Sequence, residues 1–345
     1  MKLIKIYLSV LIGLFLFASC EKEIIFKGET TEPLVVVNSY ITPDSVISAH
    51  LSESRFFLDT DATFTDIKNA EVSVWVNGVL KENLHYLENG NYKGTYKPAI
   101  GESIKLIVKV PSKKDVSCEA TVTAKPEINS LDTTGTWTGR SYEMQYVLYN
   151  VGGYDQYKYD TVATINGHKI NYTLKFKDKP EEKNYYRLEV LTKEYYYSID
   201  SVSKDTITEI RDNYSFNFTD VVSGNNSNND PQNLIENSLN NPYNVFSDEL
   251  FNGKTYSLTF TTLDDLYNYK PGYKSYQKMP DKRIINVYLQ SIGKDYYLYL
   301  KSRPIASGAV DFFSEAVQIH NNITGGVGIF GSYTSGNVIK IELNH

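Results

Sequence analysis

The residues of this 345-residue chain that could do chemistry are a glycine run, five histidines, several paired acids, two cysteines and an unusual 29 tyrosines. Gly326-Val327-Gly328-Ile329-Phe330-Gly331 has the G-x-G-x-x-G spacing that lets a backbone turn approach a pyrophosphate at a helix N-terminus. That chemistry needs a following helix and an acid about 20 residues on, but the remaining residues alternate like a strand. The glycines are expected instead to permit tight curvature or close backbone approach within a β structure. His50, His85, His168, His320 and His345 show neither an i, i+4 pair nor any Cys/His ligand spacing, so no metal is expected. Asp59-Thr60-Asp61 opens like a calcium loop, but Phe64 and Ala70 stand where that loop needs its glycine and its bidentate glutamate. Glu181-Glu182, Asp248-Glu249 and Asp264-Asp265 read as solvated charge in polar turns rather than as acid/base pairs. With no nucleophile elbow and no phosphate loop, no catalytic residue or cofactor is assigned, and an enzyme is not expected.

The tyrosines are the one group with binding potential. A phenol combines a flat apolar face with a polar tip, so it can stack on a sugar or fill a protein interface. Tyr195-Tyr196-Tyr197, Tyr267, Tyr269, Tyr273 and Tyr276 are candidates, although tyrosine also serves as strand filler. Tyr269 and Tyr273 are singled out for ligand or partner contact because they flank Pro271-Gly272, which reads as a loop.

The first 19 residues place Lys2 and Lys5 before an apolar run from Ile6 to Phe17, too short for the ~20 residues of a spanning helix. Phe17-Ala18-Ser19-Cys20 then resembles the lipobox of bacterial lipoproteins, in which the cysteine is acylated and becomes the mature N-terminus. Each buried CH₂ contributes ~0.8 kcal/mol, so several acyl chains on Cys20 would hold the protein firmly to a membrane. Glu21-Lys22-Glu23 follows with no Asp next to the cysteine, which favours the outer membrane and cell-surface exposure. Loss of the leader removes two lysines and no acids, leaving 33 basic against 41 acidic residues and no basic stripe, so nucleic acid is not an expected partner. With Cys20 lipidated, Cys118 has no intramolecular disulfide partner; it shares a strand face with Ala120 and Val122 and is read as core.

The elements that would position these residues are mostly strands. Residues 33–125 alternate in short runs with turn signals at the spacing of an immunoglobulin-like β-sandwich, following a tether at 20–32. Asn77-Gly78 and Asn89-Gly90 mark hairpin turns, where both central residues must accept positive φ. From 126 to 345 the strands carry more aromatic residues: 142–149, 170–176, 185–191, 214–218, 256–261, 284–290, 317–323, 328–334 and 338–343. They predict a Tyr-rich antiparallel β-barrel-like domain or a second sandwich. One short helix is expected from a Ser291 N-cap to just before Pro304, with Ile292, Tyr296, Tyr299 and Leu300 on one face. An Asn-rich loop spans 225–241. Irregular turn spacing and the C-terminal Leu343-Asn344-His345 argue against a membrane-embedded barrel.

An ordered set of segments resembles a known family. Glu32-Pro33-Leu34-Val35-Val36, Leu51-Ser52-Glu53-Ser54, Ala70-Glu71-Val72 with Trp75, Asn184-Tyr185-Tyr186-Arg187-Leu188, Phe251 to Tyr256, Asp295 to Leu300 and Gln318 to Gly331 are similar to Bacteroidetes lipoproteins of domain-of-unknown-function family 4249. The resemblance spans nearly the whole mature chain. It implies an outer-membrane lipoprotein that assists a TonB-dependent receptor in nutrient uptake, and it supplies no catalytic residue. The expected role is therefore an accessory protein that docks on the receptor or captures a glycan or peptide ligand for it. A glycan-active hydrolase and an envelope adhesin or structural lipoprotein are the alternatives.

Overall fold

In a computed structural model, the residues described are 32–55, 63–180, 182–199, 205–224, 241–269, 280–308 and 318–344. The leader, Cys20, the Asp59-Thr60-Asp61 segment, Tyr273 with Pro271-Gly272, and nearly all of the Asn-rich loop lie outside them. The architecture is mainly β with one α-helix, as the alternation predicts. Leu34–Ser54 and Ala62–His345 form one compact unit.

Alternation builds the first core directly. β1 (Val35–Ile41) and β2 (Ser48–Glu53) turn Val35, Val37, Ile41, Ala49 and Leu51 inward. β3 (Glu71–Val76), β6 (Ser103–Lys109) and β7 (Val116–Thr121) bury Val72, Val74, Ile104, Leu106, Val108 and Cys118 against them. At ~1.5–3 kcal/mol per fully buried aliphatic side chain, this interface is the main stabilising term of the N-terminal sandwich. β4 (Val79–Tyr86) and β5 (Asn91–Lys93) join the two faces, since β4 pairs with β3 along its length and with β5 at its end. The β3–β4 turn is the expected one, with Asn77 at φ 50° and Gly78 at φ 81°.

The second core lies between two layers. β8 (Glu127–Val151), β9 (Tyr154–Lys177) and β13 (Thr255–Tyr269) form a three-stranded sheet. It packs on β10 (Tyr185–Ile199) and β14 (Lys282–Ile292) through Tyr172, Leu174, Phe176, Leu188, Phe260 and Leu289. Tyr172 stacks on Phe260 at 4.7 Å, and Phe176 meets Phe251 edge-on at 5.5 Å. Of the two architectures expected for residues 126–345 the two-layer one is adopted; among the described residues no sheet closes into a barrel. β11 (Thr206–Asn213), β12 (Val245–Ser247) and β16 (Ile339–Asn344) complete the β10–β14 layer.

Three details depart from the sequence pattern. β15 (Val327–Ser335) pairs antiparallel with β14 and parallel with β1, so one mixed sheet runs through both sandwiches. Residues 214–218 form only a bridge, Asn217 to Thr261, and 318–323 form no strand. The helix, α1 (Lys294–Gly308), starts later and ends later than its pattern suggested. Ser291 stays in β14, paired with Tyr186 and Thr334, because the ladder offers its backbone partners that a cap would forgo. Pro304 is accommodated inside the helix, where it removes one backbone donor.

Candidate functional site

Where β7 runs on to Pro126, the β9–β10 connection, the start of α1 and the end of β15 meet, a cleft of about 800 Å³ opens. Its size falls within the range of small-molecule sites, roughly 300–1,000 Å³. Ile292 and Phe330 supply apolar surface, and Tyr185, Tyr186 and Tyr296 supply aromatic surface. Lys125, Lys177, Lys179, Lys183 and Lys294 face Glu119, Glu127, Asp178, Glu182 and Asp295 around it. Gly293 and the first residues of α1, Lys294 and Asp295, line the cleft, so the helix begins at its wall.

The acids are not equivalent. Asp178 is buried and committed: it accepts from Tyr186 Oη at 2.5 Å and from the Gly253 N–H at 2.8 Å. Burial, followed by this hydrogen bond, pushes the Tyr186 phenol well above its ordinary range. Asp248 lies beside the same phenol and accepts from the Asn184 N–H at 2.9 Å, holding the β9–β10 connection. The expectation that Asp248-Glu249 is solvated turn charge is corrected for Asp248, which is buried with its carboxylate accepting from the Asn184 N–H; Glu249 is exposed. Asp264 and Asp265 lie within β13 rather than in a turn, since the long β9 ladder extends through them. A third buried carboxylate, Asp220, accepts from Tyr256 Oη at 2.5 Å and from the Thr259 N–H at 2.8 Å.

Around the helix the phenols pack on one another and on two arginines. Tyr185 meets Tyr297 at 4.7 Å and Tyr40 meets Tyr296 at 5.1 Å, while Arg303 lies over the Tyr243 and Tyr299 rings. Arg187 pairs with Glu189 at 2.7 Å and reaches Tyr296 Oη at 3.4 Å. His320 Nε2 lies 2.9 Å from Asp295 Oδ1. The nearby Ser302 hydroxyl donates to the Tyr299 carbonyl and accepts from the His320 backbone N–H, so it is not presented to the imidazole as a nucleophile. Among the described residues no group of three or more His, Cys, Asp or Glu could hold a metal ion. The cleft has the chemistry to hold a polar ligand with one flat face.

Tyr269 ends β13, opposite Ala163, rather than standing in a loop. Tyr273 lies outside the described residues. Tyr196 is buried under the Arg211 guanidinium, whereas Tyr197 is partly exposed on the same strand. Cys118 is core, and burial pushes its thiol up to about 12. The glycine run serves β1: a Cβ on Gly328 would collide with the Val37 carbonyl, and one on Gly326 would lie 2.5 Å from the Val35 carbonyl. The cleft itself was not anticipated from alternation. Its signal was the resemblance, because Asn184 to Leu188 and Asp295 to Leu300 are two of its segments and both reach the cleft.

No helix of the described residues is long and apolar enough to cross a membrane. Among solved structures, the chain is matched to a protein of Corynebacterium diphtheriae provisionally described as membrane anchored, at 10% identity and a TM-score of 0.20. The match covers 86% of this chain and 59% of that one, and at this score it carries no argument. No curated protein matches. The model of a domain of unknown function, DUF4249, does match, over residues 21–338, and the chain therefore belongs to the DUF4249 family.

Proposed function

We propose that this is a lipid-anchored accessory protein of the outer-membrane surface, which captures a small glycan, peptide or organic anion and presents it to a TonB-dependent receptor. The observation that carries the reading is the cleft at the start of α1, which joins tyrosine faces with five lysines and five acids. Asp178, the buried acid of its lining, is already satisfied by a backbone and a phenol donor, which favours holding a ligand over transforming one. The lipobox and the acidic body support an exposed position at a membrane.

The test uses the full-length protein in its native host. Cys20→Ser should move it from the membrane to the soluble fraction, and mass spectrometry of the parent N-terminus should find acyl chains. Screening oligosaccharides, peptides and organic acids by native mass spectrometry should yield a binder that is recovered unchanged. Tyr185→Ala and Lys294→Ala should each weaken that binder about tenfold, consistent with losing one stacking or one charge contact of ~1–1.5 kcal/mol. Turnover of the bound compound, or no receptor recovered with the protein in mild detergent, would count against the proposal.

A further inference from the structure

β7 is the last strand of the large sheet, and hydrogen bonds at its two ends fix which of its backbone groups are open. Ser117 bonds away from β6: its N–H donates to the Thr324 carbonyl at 3.0 Å, and its carbonyl accepts from the Thr324 N–H at 2.8 Å. Val122 bonds the other way, donating to the Glu102 carbonyl and accepting from the Gly101 N–H, both at 2.9 Å. In an antiparallel ladder the N–H and C=O of one residue point to the same side, and successive residues alternate. Val116, Cys118 and Ala120 therefore serve β6, while Glu119 and Thr121 aim their groups away from it. Among the described residues no backbone group meets those of Glu119 and Thr121. The open stretch is closed at one end by Thr324 and at the other by the Thr334 hydroxyl, which donates to the Thr123 carbonyl at 2.6 Å.

This open stretch belongs to the cleft. Every residue from Glu119 to Ala124 lines it, not every second one, so β7 meets the cavity along its edge rather than with one face. The outward groups of Glu119 and Thr121 repeat at ~6.8 Å, the two-residue period of an extended chain, with one donor and one acceptor at each step. A polypeptide backbone carries that repeat; a sugar or an organic acid does not. A second copy of β7 cannot use it, because two-fold pairing about Ala120 would set Ser117 against Thr123, and both are already engaged. Shortness and closed ends thus guard the edge against other long strands while leaving a slot for a short one.

On the reading that the cleft is the capture site, on which this rests, we propose that its ligand is a short extended peptide that adds to β7 as one more strand. Three ligand residues suffice. Antiparallel to β7, the first and third face Thr121 and Glu119 and exchange both backbone hydrogen bonds with each. The second lies opposite Ala120, the smallest side chain on its face of β7, which packs at the margin of the N-terminal core. An apolar side chain there extends that core. Glu119 is exposed, so the residue opposite it is basic or neutral, since like charges across a ladder repel.

The probe is a terminally blocked pentapeptide with glycine at both ends and threonine, valine and lysine between them, titrated into the full-length protein and followed by saturation-transfer NMR. It should bind. N-methylation of its threonine or its lysine removes a donor to β7 and should weaken binding about tenfold, whereas N-methylation of its valine, whose N–H points away, should change it less than about twofold. Thr121→Pro deletes an outward N–H that serves no ladder bond, so binding should fall about tenfold while circular dichroism stays that of the parent. Glu119→Lys should reverse the charge preference, favouring the pentapeptide with glutamate in place of lysine, and this holds the proposal to account even if Thr121→Pro fails to fold. Equal losses from all three N-methylated peptides, or a Glu119→Lys variant that still prefers lysine, would overturn strand addition. Binding of an oligosaccharide or organic acid, weakened by Tyr185→Ala, without binding of the pentapeptide would overturn it too and leave capture by the cleft standing. A protein that binds none of these probes overturns both.

Discussion

Substituting Gly328 by alanine tests how tightly the two ends of the chain are joined. Gly328 has φ +125°, a conformation that residues with a Cβ rarely adopt, and an added Cβ would meet the Val37 carbonyl, carbon and nitrogen of the neighbouring strand. The backbone strain alone is worth ~1–3 kcal/mol. Relieving the collision means drawing β15 away from β1, along a parallel ladder that runs from Val36–Val327 to Ile41–Ser332. Losing one or two of those hydrogen bonds adds ~1–2 kcal/mol, for a total of ~2–5 kcal/mol. Gly78→Ala is the matched control. Its φ is also positive, at +81°, but nothing lies within 4 Å of the new Cβ, so only the strain of about 1 kcal/mol applies. Urea unfolding followed by tryptophan fluorescence should place the Gly328→Ala midpoint well below that of Gly78→Ala. Equal midpoints for the two variants would refute the idea that the glycine run exists to admit β1.

Other outcomes follow from buried polar groups. Tyr256→Phe removes a phenol donor from the buried Asp220 carboxylate and should cost ~1.5–3 kcal/mol in the same unfolding assay, while Asp220→Ala, which strands four donors, should cost more. The phenols of Tyr186, Tyr256 and Tyr40 are raised above their ordinary value of 10.0, chiefly by burial. A raised folded-state value means that stability is fully present below pH 10 and is lost as pH climbs past it, when the unfolded chain ionises first. Titration at 295 nm should therefore find a fraction of the tyrosines silent until alkaline unfolding releases them together. Cys118, its thiol pushed up to about 12, should resist a thiol reagent at pH 8 in the native protein and react at once in urea.

Much of this architecture could be read from period and turn chemistry. Val72, Val74, Ile104, Leu106 and Val108 face inward as their spacing demands, and Asn77-Gly78 turns the chain where two positive φ angles were needed. What period cannot convey is which strand meets which. Nothing local in Val35–Ile41 specifies a parallel neighbour near the other end of the chain; only the glycines of 325–331 hinted at a close approach, without naming its partner. The start of α1 was misplaced for a related reason, since Ser291 suits both a cap and a strand and the β10 ladder decides between them. Asp248 looked like loop charge because the Asn184 N–H that satisfies its carboxylate comes from remote sequence. The cleft was invisible to alternation, being made where four connections meet rather than by any one element.

The seam between β1 and β15 also governs the order of events during synthesis. A ribosome releases Val35–Ile41 long before Val327–Ser335 exists, so the early sandwich must wait with one flank bare. A message truncated before codon 327 would leave that flank exposed for good, a ready target for proteases and for aggregation. Completion of the last strand thus acts as a built-in check that the whole polypeptide has been made.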